Sequence, residues 1–222
     1  MKLCAAIAVA AALLVAAPAR ARADEPSDRR IFGVGVALAL PTWFFGTVTH
    51  EGSHALAAEL VGGDTIQFRP WPGRAPITGA FQLGLTRVRG IHGDGERVFF
   101  FMAPKLTDVV LLGGYVALYE TSAYPDGAYG QLVLTVLATG WWIDFAKDTL
   151  AFSPHNDLVK TMSILGLRTE WQRLPVRVGF AAASVGLGYL VWRGHDRLFA
   201  VNDAPGTARS APLVLPVLTR VF

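Results

Sequence analysis

The segment His50-Glu51-Gly52-Ser53-His54 constrains this chain more than any other feature. It sets two histidines and a carboxylate inside a run, Ile31 to Val61, that is otherwise almost wholly apolar. Within a bilayer such residues are expensive unless they are partnered or functional. On a helix, residues four apart share one face about 6 Å from each other, so His50 and His54 can each turn a ring nitrogen toward one zinc ion. Glu51, rotated off that face, can reach a water whose pKa the metal lowers toward about 7. Two metal-binding histidines and a proton-accepting glutamate are the equipment of peptide-bond hydrolysis. As a helix the run would extend about 45 Å, more than a hydrocarbon core of about 30 Å, which predicts a kink at Pro41 or protrusion into water. Gly62-Gly63 ends it.

Composition makes the bilayer the solvent. Of 222 residues 52% are hydrophobic and only 17% charged, too apolar a balance for a soluble globule and too many apolar runs for a soluble zinc protease. The net charge of +3 is spread over several loops, which argues against nucleic acid as a partner. A lone cysteine, Cys4, excludes an internal disulfide framework. Residues 1–23 read as a signal peptide, with an apolar stretch and Ala21-Arg22-Ala23 as a small-x-small cleavage site, or as an uncleaved signal anchor. Further spans are expected at Val98 to Tyr119, Tyr129 to Phe152 and Val176 to Trp192. The expected fold is therefore an all-α membrane protein of about four transmembrane helices. A β-hairpin insert at about 64–90, from Thr65–Arg69 and Gly79–Val88, falls between the first and second. It suits either an edge strand that holds an extended substrate or a plain cover on the membrane face. The membrane domain occupies residues 24–200, and residues 201–222 form an irregular tail.

Loop charges set the orientation. Arg69, Arg74, Arg87, Arg89 and Arg97 follow the first span, Lys160, Arg168, Arg173 and Arg177 follow the third, and the turn after the second has only Glu120 and Asp126. The basic loops belong in the cytoplasm, which predicts a multi-pass protein of the inner (plasma) membrane with its N-terminus outside. Spans one and three then run the same way, so the acids near the end of the third share a membrane half with the histidines. One of them is the expected third ligand, since a catalytic zinc takes three protein ligands and keeps an open position. Lys105 and Asp108, three apart in the second span, read either as a mutually satisfied pair near the interface or as support for the site.

His50-Glu51-Gly52-Ser53-His54-Ala55-Leu56-Ala57-Ala58, followed by Gly62 or Gly63, Phe68 and Pro72-Gly73, resembles the H-E-x-G-H-A-L-A-A segment of the site-2 proteases, intramembrane zinc metalloproteases. Ala103-Pro104 with Asp108 echoes that family's second motif. Phe152-Ser153-Pro154-His155-Asn156-Asp157-Leu158 is similar in placement to its third, N-x-x-P-x-x-x-L-D-G, without the Asn and Gly. The resemblance implies Asp157 as the third ligand. Depth in the membrane instead favours Asp144 or Asp148, because Asp144 lies nearer the level of the histidines if the span stays helical. Asp108 and His155 can also bind zinc.

The expected activity is an intramembrane zinc metalloprotease acting on a membrane-protein or peptide substrate. His50, His54 and Asp157 hold Zn2+, with Asp144 the alternative, and Glu51 is the general base, while His155 or Asn156 donates to the oxyanion. The competing expectation is a non-proteolytic integral membrane protein, a degenerate relative that binds metal or a protein partner. Orientation is open to a direct check. A topology reporter fused near residue 92 should behave as cytoplasmic and one near residue 124 as periplasmic, and the reverse pattern would overturn the orientation.

Overall fold

The computed structural model describes residues 26–76 and 79–200. The expected signal segment, Cys4 and the C-terminal tail lie outside them. Helix α1 (Asp28–Leu60) runs on through Pro41 for 33 residues. It stops in a Schellman motif: Gly62, at φ 82°, donates to the Glu59 carbonyl, and the Gly63 N–H reaches back to Ala58 O at 2.8 Å. Gly62 suits this left-handed position because it has no Cβ to clash.

The chain then enters β1 (Asp64–Arg69), which pairs antiparallel with β4 (Leu85–Arg89) from Asp64↔Arg89 to Arg69↔Leu85, with an irregularity between Thr65 and Gln67. A smaller pair, β2 (Gly73–Arg74) with β3 (Phe81–Gln82), lies between them. The expected second strand thus divides in two, and its break at Leu83-Gly84 rests on Glu51. Both β1 and β4 pack on α1. The Thr86 hydroxyl donates to the Glu51 carbonyl at 2.9 Å, which brings the sheet to the turn of α1 that bears the motif.

Helix α2 (Asp94–Tyr119) begins before the expected Val98, because the Glu96 carboxylate accepts from the backbone N–H groups of His92 and Gly93, both at 3.1 Å. Helix α3 (Ala128–Lys147) ends before the expected Phe152, passing into a 3-10 turn (Asp148–Leu150). Helix α4 (Asp157–Ile164) follows, and then α5 (Glu170–Ala200), which is longer at both ends than the expected span. Helix α3 packs against α1, α2 and α5. Its Ala138 joins Leu112, Tyr115 and Val191 in one buried cluster, and its Leu132 joins Ile31 and Leu198 in another. Leu158, Val159 and Met162 of α4 form a third with Met102, Val176 and Phe180 beside them.

Three described helices are long and apolar enough to cross a membrane: α1, α2 and Glu170–Phe199 of α5. The expectation of about four spans is met only to that extent. Gln131, Trp141, Trp142 and Asp144 dilute the hydropathy of α3, the helix enclosed by the other three. Only 6% of the apolar window of α1 is buried against protein, so most of this apolar surface faces outward, as in a helix solvated by lipid.

Close approach of α3 and α5 depends on Gly188, where an added Cβ would come within 2.9 Å of the Trp142 ring. A Gly188→Val change should therefore lower thermal stability in detergent by about 1–3 kcal/mol through overpacking. Gly179→Val, where a Cβ would meet nothing within 4 Å, should leave the melting temperature nearly unchanged.

Candidate metal centre

Helical spacing puts His50 and His54 on one face of α1, with ring centroids 5.2 Å apart. Each ring is anchored through Nδ1. His54 Nδ1 lies 2.8 Å from the Phe100 carbonyl oxygen, which can only accept, so that nitrogen carries its hydrogen. His50 Nδ1 lies 2.8 Å from Asp144 Oδ2. Carboxylate and carbonyl partners of this kind fix the tautomer and aim of metal-binding imidazoles. Both Nε2 atoms then converge on Asp157 Oδ2, at 3.6 Å from His50 and 3.1 Å from His54.

Bonds of 2.0–2.1 Å at tetrahedral angles separate two ligand atoms by about 3.4 Å, and the two edges to Asp157 Oδ2 bracket that value. His50, His54 and Asp157 form a group able to hold a metal ion, their ligand atoms all within 4.8 Å of one another. The donor chemistry fits as well. With both Nδ1 atoms donating, two ring lone pairs face a carboxylate oxygen and repel it unless a proton or a cation lies among them.

Asp157 owes its position to the break after the 3-10 turn. Asn156 is the N-cap of α4, its Oδ1 accepting from the N–H groups of Leu158 and Val159. Asp157, the first helical residue, presents Oδ2 to the histidines and Oδ1 to Lys160 Nζ at 3.1 Å. Burial by itself would raise the Asp157 carboxyl. When protons occupy the Nε2 positions, hydrogen bonds from His50 and His54 together with the Lys160 charge outweigh that and hold it well below the usual carboxylate range.

Asp144, the alternative ligand by depth, stands behind His50, not beside the two Nε2 atoms. Its other oxygen receives Lys147, one turn on. Glu51 is outside the metal-facing group. Its carboxylate lies against the backbone at Gly84, where an added Cβ would come within 2.6 Å of Oε1. Of the expected oxyanion donors, Asn156 has both ends of its amide engaged, by Asp148 and by the start of α4, and His155 is exposed.

Lys105 is buried and not held at an interface by Asp108 alone. It is 2% exposed, and its nearest carboxylate oxygen is Asp148 Oδ2 at 2.8 Å, with the sequence-local Asp108 at 3.8 Å. Asp108 Oδ2 is itself buried without a hydrogen-bond partner among the described residues. Lys105 and Asp108 stand out along the chain as charges in an apolar span, but the link from Lys105 to Asp148 does not. The Phe100 carbonyl, the Gly84 backbone and the Ser53–Thr107 hydroxyl contact at 2.7 Å left no signal of their own.

The geometry orders the effects of substitution. Asp157→Ala and His50→Ala should each abolish stoichiometric zinc binding by metal analysis of purified protein. Asp144→Ala, which removes only the partner of His50 Nδ1, should weaken binding about 10–100-fold. Full zinc retention by Asp157→Ala with loss in Asp144→Ala would move the ligand to Asp144. Set against known proteins, the chain matches no protein-family model, no curated protein and no solved structure, so what the centre does follows from its own side chains.

Proposed function

We propose that the protein is a multi-pass inner-membrane zinc metalloprotease that hydrolyses peptide bonds in or beside the bilayer. The observation that carries this reading is the convergence of His50 Nε2 and His54 Nε2 on Asp157 Oδ2. Glu51 stands one residue along from His50 without joining that group. A bound zinc ion would acidify a water and polarise the scissile carbonyl. His50, His54 and Asp157 would hold the ion, while Asp144 and the Phe100 carbonyl keep the two rings aimed. Glu51 takes the proton of the attacking water and hands it to the departing amine, with the Gly84 backbone limiting where its carboxylate can swing. The sheet supports an extended peptide substrate. Strand β4 is bonded to the backbone of Glu51 itself through Thr86, and a two-stranded sheet leaves an edge for a third strand. The resemblance of the first motif to the site-2 proteases points the same way.

The decisive variant is Glu51→Gln, which keeps shape but cannot accept a proton. Cleavage of membrane-anchored reporter peptides should fall by at least about 10²-fold while zinc content and fold stay as in wild type. Turnover unchanged in Glu51→Gln would overturn the protease reading. Zinc binding without any Glu51-dependent cleavage would favour the non-proteolytic metal-binding membrane protein.

A further inference from the structure

The carboxylate that faces the histidines and the carboxylate behind His50 belong to different elements: Asp157 opens α4, and Asp144 sits near the end of α3. A run of polar contacts outside the ring of metal-facing atoms joins them. The Lys105 ammonium crosses from α2 to the backbone carbonyl of Asp144 and lies 3.5 Å from Asp144 Oδ2. It is also 2.8 Å from Asp148 Oδ2 in the 3-10 turn. The second oxygen of Asp148, Oδ1, accepts from Asn156 Nδ2 at 2.7 Å. Asn156 Oδ1 in turn accepts from the N–H groups of Leu158 at 3.0 Å and Val159 at 3.4 Å, capping the helix whose first residue is Asp157.

We propose that Lys105 and Asn156 are positioning residues of the metal centre. With Asp148 strapped between them, they hold Asp157 at the distance that lets its carboxylate share an ion with His50 and His54, while Lys105 steadies Asp144 against His50. The inference rests on the metal reading given above. Neither residue belongs to the metal-facing group, so each acts through geometry. Geometry is enough, since coordination distances tolerate only about 0.2 Å. The strap is also specific in its chemistry. Asp148 has two oxygens and uses one toward the cation and one toward the amide, so its carboxylate orientation transmits the position of α2 to the start of α4. A run that merely stabilised the helix bundle would behave differently: breaking it would lower the melting temperature and leave the metal affinity of the folded protein alone.

Asn156→Asp separates the two roles. Aspartate caps a helix about as well as asparagine, so α4 keeps its start. The donor to Asp148 is replaced by a second carboxylate. Full-length protein in detergent would be titrated with zinc(II) against a competing chelator and with cobalt(II) as a spectroscopic probe. Wild type is expected to bind one equivalent. Asn156→Asp should bind zinc roughly 10–100-fold more weakly and show an altered cobalt absorption band in protein that keeps the wild-type helix content, whatever the carboxylate facing Asp148 does to the melting temperature. Lys105→Met should weaken binding similarly, and Lys105→Arg should restore part of it. If Lys105→Met does not accumulate, Asn156→Asp carries the test alone. Wild-type affinity and spectrum in Asn156→Asp would overturn the inference, as would a lowered melting temperature with unchanged affinity. A wild-type protein that binds neither zinc nor cobalt would instead defeat the metal reading, and this inference with it, so the wild-type titration tells the two failures apart.

Discussion

An ammonium group buried among apolar helices costs several kcal/mol unless carboxylates surround it, and Lys105 is such a group. Its partners come from α2, the end of α3 and the 3-10 turn, in the form of Asp108, Asp144 and Asp148. Because each acid sits on a different turn or element, meeting the demand of one charge draws those elements together at a single point. The same point carries the back of the candidate metal centre, since Asp144 that faces Lys105 also receives His50 Nδ1. Removing one partner from such a cluster is far more damaging than its net contribution to stability suggests, because the others are left buried and uncompensated.

The remainder of the bundle divides into two kinds of surface. Outward, α1, α2 and α5 present apolar side chains such as Leu40, Val110 and Val185, which are exposed in the protein and suit a hydrocarbon solvent. Inward, α3 is enclosed and carries the polar residues that the outer helices could not expose to lipid, among them Gln131, Thr135 and Asp144. That arrangement explains why α3, long enough at 20 residues, falls short of the hydropathy of a spanning helix while packing against the others. The sheet lies against the motif-bearing turns of α1, so Glu51 meets backbone at Gly84 where an open membrane helix would meet lipid.

Much of this was legible along the chain. Two histidines four apart with an adjacent glutamate, inside a long apolar run, admit few chemistries, and the helical period alone puts both rings on one face. The helices themselves were legible from hydropathy, with ends displaced where local hydrogen bonding took over: Glu96 extends α2 toward its start, and the 3-10 turn cuts α3 short. The expected hairpin strand over Gly79–Val88 divides because Gly84 is occupied with Glu51, a long-range contact to which residue alternation is blind.

Sequence by itself determined the chemical inventory: which residues can bind a metal, which can take a proton, and that the histidines sit in a helix long and apolar enough to cross a membrane. Those follow from residue type and from the 1.5 Å rise and 3.6-residue turn of a helix, both local properties. Tertiary structure decided which acid meets the two histidines. Asp144 and Asp157 are equally able to bind a cation, and depth along an ideal helix favours Asp144. The chain leaves the helix at Lys147, turns through Asp148–Leu150 and returns with Asp157 opposite both Nε2 atoms, which puts Asp144 behind His50 instead. A ligand set is a matter of angstroms between side chains far apart in sequence, and only the packing of α1 against α2, α3 and α4 fixes those distances.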